Sequence, residues 1–166
     1  MAEGRRAGLV CALVGAALAL TSRDAWPESL EIGGTTHASS CEVEAWSLLA
    51  KELRDAAGKR DPAGLEALVQ AYLCGGDGRA AEILLHAAPA RLVSTDEGTG
   101  EPTTRRRVPS REALEPRGGQ AWHATVHADR RDVSVTFFVN EACVRSITLR
   151  SAKAAWRIRA VGNACD

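Results

Sequence analysis

The side chains of this 166-residue chain that could do chemistry are first of all its cysteines, which can act as nucleophiles, bind zinc or form disulfide bonds. Paired cysteines in zinc sites stand about two to four residues apart, and no two of Cys41, Cys74, Cys143 and Cys165 are that close. The fifth cysteine, Cys11, lies in the N-terminal segment, which is predicted to be a cleaved signal, and four cysteines in an exported protein favour disulfide bonds. We therefore predict that these four cysteines form two disulfide bonds and that the chain has no metal site.

Two histidines, His123 and His127, are four residues apart, a spacing that lets both ligate one metal ion when they lie on a helix. The segment around them alternates apolar and polar residues as a strand does. At roughly 3.3 Å per residue the two side chains would then stand about 13 Å apart. We expect both on the solvent face of a strand, where His127 and Asp129 could form an orienting pair.

Motifs of nucleophilic catalysis or phosphate binding are missing from the sequence. It contains no G-x-S-x-G, and the glycine-rich segment 75–78 lacks the lysine and the preceding strand of a phosphate-binding loop. The segment is predicted to be a turn between helices, and no cofactor is predicted.

The N-terminus carries the pattern of a secretory signal. Arg5 and Arg6 precede an uncharged run over 7–20, which contains a small-x-small cleavage site at 17–19. That run is shorter than the roughly 20 residues that a membrane-spanning helix needs. We predict a signal peptide over 1–19, a periplasmic or secreted protein and no permanent membrane anchor.

A helical hairpin is predicted after a flexible leader over 20–38. Ser39 and Glu42 form the S-x-x-E pattern of a capping box, and the helix that follows closes at Gly58. A second helix has Asp61 as its N-cap and Pro62 at its first position. Its apolar stripe consists of Leu65, Leu68, Val69, Tyr72 and Leu73.

The hairpin predicts how the cysteines pair. Cys41 begins the first helix and Cys74 ends the second, so both lie at the open end of the hairpin, and we predict that they are bonded. Cys143 and Cys165 flank the last pair of predicted strands. A bond between them would tie down the C-terminus, although the expected register requires the last residues to bend.

The remaining chain is predicted to be one short helix followed by a sheet. The helix spans 79–88 and a short strand spans 91–94, whereas 96–119 breaks the pattern and is predicted to be a mobile loop. Its arginines 105–107 form either a solvated surface or a site for an anion or an acidic partner. From residue 120 the period changes to two, which predicts four antiparallel strands. The fold class is therefore α+β: a helical hairpin and a third helix on one face of a four-stranded, curved antiparallel sheet, in a single domain over 39–166.

Composition limits the partners. The chain has 21 basic and 21 acidic side chains, so it lacks the excess of positive charge that carries non-specific binding to nucleic acid or anionic membranes. A nucleic-acid partner is not expected.

The order of elements resembles that of the nuclear-transport-factor-two-like (cystatin-like) superfamily, which includes ketosteroid isomerases and polyketide cyclases. The segments that carry the resemblance are Leu68–Leu73, Gly76–Gly78, Leu84–Asp96, Ser110–Leu114 and Ala155–Ile158. The resemblance implies a curved sheet wrapped around a helix, with a conical apolar pocket open at one end.

The same resemblance implies two candidate catalytic residues. Tyr72 is similar to the tyrosine that donates a hydrogen bond to the oxyanion in the isomerases, and Asp96 falls within about one position of their aspartate base. A second acid expected on a later strand would fall near Val135 or Thr136, and neither can serve.

Three functions follow from these patterns. The first is a non-catalytic binding module that holds a small apolar molecule or a protein partner in the concavity of the sheet. Its expected lining is Tyr72, Trp122, Phe137 and Trp156. The second is an isomerase-like or cyclase-like enzyme, and the third is an inhibitor or immunity-type protein that acts through exposed loops such as 96–119.

Overall fold

A computed structural model describes residues 30–32, 35–98, 100, 102–153 and 155–166. The predicted signal peptide over 1–19 lies outside the described residues, as does the first part of the predicted leader. Within the leader, the structure has two short antiparallel strands, β1 (Leu30–Ile32) and β2 (Thr35–His37). The sequence has a Gly-Gly pair between these two segments, which is a signal for a β-hairpin. The prediction of a flexible leader did not use this signal, because the rest of the segment shows no strand periodicity.

The predicted helical hairpin is present as α1 (Val43–Ala57) and α2 (Pro62–Leu73). Gly58 ends α1 with a φ of +59°, and the Asp61 carboxylate accepts the backbone N–H of Gly64 at 3.0 Å at the start of α2. α1 begins at Val43 because the capping box forms only in part. Glu42 Oε1 accepts the N–H of Ser39 at 3.0 Å, but Ser39 Oγ accepts the N–H of Cys41.

The third helix, α3 (Gly78–Ala87), begins one residue before the predicted range and ends one residue short of it. Asp77 caps it by accepting the N–H of Ala80 at 2.9 Å. The glycine-rich segment 75–78 is thus the predicted turn between helices.

The sheet has six strands rather than the four predicted. They are β3 (Arg91–Asp96), β4 (Thr104–Pro109), β5 (Trp122–Asp129), β6 (Asp132–Asn140), β7 (Cys143–Ala152) and β8 (Ala155–Cys165), and a short helix, α4 (Ser110–Ala113), follows β4. Their order is β4-β3-β8-β7-β6-β5.

Two expectations about the sheet were wrong. The predicted loop 96–119 contains β4 and α4, and β3 joins β8 in a parallel pair, so the sheet is not purely antiparallel. β4 was missed because it is an edge strand with three consecutive arginines, and its polar sequence has no alternating pattern to reveal it.

The helices cover one face of the curved sheet. Bulges in β5, β6 and β8 interrupt the ladders and bend the strands. Between the two layers, Tyr72 of α2 meets Phe137 of β6 edge to face, with ring centroids 5.8 Å apart. The buried core also includes Leu53, Leu65, Leu73, Leu84, Leu92, Val133, Val135, Ile147, Leu149 and Ile158.

Both predicted disulfide bonds are present. Cys41 and Cys74 are bonded with their Cα atoms 5.6 Å apart, which fixes the open end of the helical hairpin. Cys143 and Cys165 are direct register partners on β7 and β8, with Cα atoms 4.1 Å apart. The expected bend of the last residues is therefore not needed, because β8 continues to Cys165.

Candidate functional site

A cavity of about 190 Å³ lies where the helices leave the inner face of the sheet uncovered, and we call it the Tyr72 cavity. It is lined by Tyr72, Ser94, Asp96, Arg106, Glu112, Ala113, Arg145, Val161, Gly162 and Asn163. The two candidate catalytic residues, Tyr72 and Asp96, are thus brought to one cavity by α2 and β3.

The floor of the Tyr72 cavity is a row of register partners across the sheet. Arg145 of β7 pairs with Asn163 of β8, and Asn163 pairs with Asp96 of β3; on its other side Arg145 pairs with Phe137 of β6, which lies beyond the cavity in the core. Register partners share a face of the sheet, so these side chains form one line. The apolar inner face becomes polar from Arg145 onward, and this change creates the cavity.

Tyr72 closes the inner end of the cavity. Its side chain is only 1% exposed, and this burial raises the pKa of its phenol, while the nearby Arg117 and Arg145 act in the opposite direction. The negative charge of Glu115 also raises this pKa, so the neutral phenol is a hydrogen-bond donor and acceptor that lies near two arginines and one carboxylate.

Arg117 is held over the Tyr72 ring by the backbone. Its N–H donates to the Tyr72 carbonyl at 2.8 Å, and that of Gly119 donates to the Leu73 carbonyl at 2.9 Å. Gly118 and Gly119 make this turn with φ values of +62° and +80°, which glycine adopts without strain. The Arg117 Cζ atom lies 5.5 Å from the centre of the ring, within range of a cation–π contact.

Two guanidinium groups near Tyr72 have buried donors without partners. Within the described residues, the Nε atoms of Arg117 and Arg145 are shielded from solvent and make no hydrogen bond. None of the ion pairs among the described residues includes Arg106, Arg117 or Arg145. Buried polar groups are normally paired, so these donors mark a place that a ligand or ordered water would complete.

The acidic residues of the cavity lie at its mouth. Asp96 and Glu112 are both exposed, and Asp96 Oδ1 accepts a hydrogen bond from Asn163 Nδ2 at 3.2 Å. The cavity therefore has a half-buried end with arginines beside Tyr72, and a solvated entrance where the two carboxylates outnumber one cation, Arg106.

The other three predicted ligand-binding residues do not line this cavity. Phe137 is buried against Tyr72, and Trp156 is buried, with its indole N–H donated to the carbonyls of Arg60 and Asp61 at 2.7 and 2.9 Å. Trp122 lies on the opposite edge strand. Phe137 belongs to the core, and Trp156 lines a separate groove of about 610 Å³ between α2, α3 and the start of β8.

The Trp122 ring belongs to an aromatic stack. It lies against His37 of β2, with centroids 3.8 Å apart, and against Phe138 of β6, with centroids 4.7 Å apart. This stack attaches the N-terminal strand pair to the edge of the sheet.

The two histidines on β5 are exposed, as the alternation predicted. His123 has a φ of +50°, within the bulge that interrupts the β5 ladder. Among the described residues, no three side chains of His, Cys, Asp or Glu come together as a metal site would require.

Arginines 105–107 lie on β4 rather than in a loop. All three are exposed, and only Arg106 points to the inner face, because it is the register partner of Ser94. Of the two alternatives left open for these arginines, the solvated surface describes Arg105 and Arg107, and Arg106 alone lines the cavity.

Sequence reasoning missed Arg145, Arg117 and Asn163. A signal for Arg145 was present: it has the same strand parity as Ile147 and Leu149, which face the core. A charged residue at an inward position of a strand is uncommon and points to a polar site. The sequence contains no such signal for Arg117, because the position of its side chain depends on the turn at Gly118 and Gly119 that follows it.

No model of a protein family matches the sequence, and no protein of curated function matches it. Four solved structures are similar in fold, at low identity and with low TM-scores. The crystal structure of a DUF4783 family protein from Bacteroides uniformis has 9% identity and a TM-score of 0.39, with 64% of this chain and 97% of that chain covered.

A DUF4783 family protein from Bacteroides ovatus has 12% identity and a TM-score of 0.39, with 66% of this chain and 98% of that chain covered. A nuclear-transport-factor-two-like protein with a cystatin-like fold from Novosphingobium aromaticivorans has 15% identity and a TM-score of 0.33, with 75% of this chain and 90% of that chain covered.

Proposed function

We propose that this chain is a binding module that holds a small polar molecule in the Tyr72 cavity. The observation that carries the proposal is the cavity itself: about 190 Å³, closed at one end by a buried phenol and lined by convergent polar side chains. Pockets for drug-sized ligands span roughly 300–1,000 Å³, so the occupant is a molecule of a few heavy atoms or one ring.

The polar lining changes the expected chemistry of the ligand. The sequence predicted an apolar molecule held by aromatic side chains, but Trp122, Phe137 and Trp156 are used elsewhere in the fold. The cavity presents arginine, carboxylate, amide and hydroxyl groups instead. A polar ligand recovers the hydrogen bonds that an apolar one would leave unmade.

Filling the cavity tests the proposal. A panel of small polar and apolar molecules is screened by saturation-transfer NMR against the chain with both disulfide bonds formed, and against Ser94→Phe. Ser94 lines the cavity, so a phenyl ring there occupies its volume. We expect molecules that bind the unchanged chain to lose their signal in this variant.

The matched control is Thr95→Phe, one residue along β3 and on the other face of the sheet. It adds a similar ring to the same strand without entering the cavity and should leave binding unchanged. Equal binding of the panel by Ser94→Phe and the unchanged chain, or no binding of any molecule by the unchanged chain, would refute the proposal.

An isomerase-like enzyme is the second candidate, because Tyr72 and Asp96 share one cavity. A carboxylate beside a phenolic donor can move a proton next to a carbonyl. Incubation with a β,γ-unsaturated ketone tests this function: formation of the conjugated enone, abolished by Tyr72→Phe and by Asp96→Asn, would support it. If no enone forms, this isomerase activity is excluded, and the binding screen alone decides the first proposal.

The proposed place of action is outside the cytosol, in the periplasm or the medium. Two disulfide bonds fit an extracellular protein, because thiols stay reduced in the cytosol of most organisms. None of the described helices is both long and apolar enough to cross a membrane. Cell fractionation followed by N-terminal sequencing of the recovered chain tests export and the predicted cleavage after Ala19.

A further inference from the structure

The inner end of the Tyr72 cavity has the features of an anion subsite. Arg145 lines the cavity, and its Nε atom is buried and unpaired within the described residues. Arg117, whose Nε is also buried and unpaired in the described part of the chain, lies over the Tyr72 ring. Two cationic groups thus meet one neutral phenol, and the structure places no carboxylate from the described residues within ion-pair distance of either guanidinium.

Leaving a guanidinium partly buried without a counter-charge is costly, and the cost is removed when an anion binds. Arg145 pairs in register with Phe137 on one side and with Asn163 on the other, so its side chain leaves the inner face of the sheet between a buried ring and a polar amide. The planar fork of a guanidinium is pre-organised, so it loses less side-chain entropy for each hydrogen bond that it forms with an anion.

The mouth of the cavity restricts which anion can enter. Asp96 and Glu112 are both exposed there beside one cation, Arg106, so the mouth has a net negative charge that opposes a doubly charged group more than a singly charged one. A carboxylate carries a single charge and is planar, which suits the forked donors of arginine. A cavity of about 150 Å³ can hold benzene, so a cavity of about 190 Å³ accepts a carboxylate together with one small ring or a short chain.

We propose that the inner end of the Tyr72 cavity binds the carboxylate of a small organic acid, held by the Arg145 guanidinium and the Tyr72 hydroxyl. This inference rests on the proposed function and adds to it the chemical class of the ligand. Arg117 contributes positive potential and holds the Tyr72 ring in place. The acidic mouth leaves room for a polar or cationic group on the far end of the same ligand.

Benzoate and benzamide are matched probes for the test, because they share a ring and differ in charge at one group. Each is titrated into the chain with both disulfide bonds formed, and binding is followed by ligand-observed NMR. We expect benzoate to bind about tenfold or more tightly than benzamide, because a hydrogen bond to a charged group is worth about twice a neutral one.

Variants assign the effect to Arg145. Arg145→Gln should lower the affinity for benzoate about tenfold or more and leave the affinity for benzamide nearly unchanged. Arg145→Lys should recover part of the lost affinity, because lysine keeps the positive charge but lacks the forked donors of arginine. Arg107→Gln is the control: it removes the same charge from β4, on the outer face, and should not change either affinity. Far-UV circular dichroism and thermal melting show that each variant is folded.

Every result of this test decides the inference. Equal affinity of benzoate and benzamide, or full benzoate affinity in Arg145→Gln, overturns it while leaving a small-molecule binder intact. Stronger displacement of benzoate by inorganic phosphate than by acetate also overturns it, in favour of a phosphate site. If neither probe binds but other molecules in the Ser94→Phe screen do, the inference alone fails; if nothing in that screen binds, the proposed function fails as well.

Discussion

The indole N–H of Trp156 on β8 donates to the backbone carbonyl of Arg60, 2.7 Å away, and to that of Asp61 at 2.9 Å. The hydrogen bonds connect the sheet to the turn between α1 and α2. The Arg60 guanidinium also lies 5.4 Å from the centre of the same ring, and it donates to the carbonyls of Ala56 and Ala57. A side chain predicted to bind a ligand is therefore a connection between the two layers of the fold.

Replacing Trp156 with Phe should destabilise the protein. The ring stays apolar but its N–H donor is lost, so the carbonyls of the turn lose a buried partner, at a cost of about 2 kcal/mol in the free energy of unfolding. Urea denaturation followed by circular dichroism measures the change. A variant as stable as the unchanged chain would mean that these hydrogen bonds do not hold the layers together.

Trp122→Phe is the matched control for that experiment. The Trp122 Nε1 atom is buried and has no hydrogen-bond partner within the described residues, and the ring is stacked between His37 and Phe138. Phe keeps most of the stacking and removes an unpaired donor, so the free energy of unfolding should change by less than about 1 kcal/mol. A loss as large as that of Trp156→Phe would contradict this account of both tryptophans.

The two disulfide bonds should contribute comparable stability. They close segments with sequence separations of 33 and 22 residues, for which the chain-entropy model gives about 3 to 4 kcal/mol each. Cys41→Ala/Cys74→Ala and Cys143→Ala/Cys165→Ala remove one bond each without leaving a free thiol. Urea denaturation of each variant gives its loss of stability, and a loss below about 1 kcal/mol in either would contradict the prediction.

Asp132 makes part of the stability depend on pH. Its carboxylate is paired with Arg150 at 2.6 Å and with Arg159 at 2.5 Å, and the hydrogen bond from Arg150 is the main cause that lowers the pKa of the Asp132 carboxyl below its ordinary value. The folded state therefore holds the proton less tightly than the unfolded state. The contribution of Asp132 to the free energy of unfolding is complete above the unfolded pKa of about 3.9, and it is lost as the pH falls through the lower pKa of the folded state.

Asp132→Asn should therefore cost up to about 1 kcal/mol at neutral pH and progressively less below pH of about 4. Urea denaturation at several pH values measures the difference between the variant and the unchanged chain. Asp55→Asn, at an exposed position of α1 that takes part in none of the ion pairs among the described residues, is a control that should show a smaller difference at neutral pH. A difference for Asp132→Asn that persists at pH of about 2 would contradict the assignment.

Much of the fold could be predicted because local signals agreed with one another. Asp61, Pro62 and Gly58 mark helix ends whatever surrounds them, and the positions of Cys41 and Cys74 at the same end of the hairpin predicted their bond. β4 had no such signal, since its pairing depends on β3 and not on its own side chains. The parallel pairing of β3 with β8 is likewise a property of distant segments.

The site was predictable to a smaller extent. Tyr72 and Asp96 were named from the resemblance, and the structure brings both to one cavity. Trp156 and Phe137 were assigned to the ligand because an aromatic residue on an inward strand position can either line a pocket or fill a core, and sequence does not distinguish the two. Arg117 reaches Tyr72 only through the turn at Gly118 and Gly119.

Tyr72 allows a direct test of its environment, because it is the only tyrosine in the chain. Burial raises the pKa of its phenol, so the folded state holds the phenolic proton more tightly than the unfolded state. The stability that this provides is complete below the unfolded pKa of about 10 and is lost as the pH rises through the higher folded pKa. Spectrophotometric titration of the native chain should show no tyrosinate band until the pH is above about 10, whereas the chain in denaturant should titrate near about 10. Coincident titrations would place Tyr72 in solvent and remove the closed end of the cavity on which the proposed function depends.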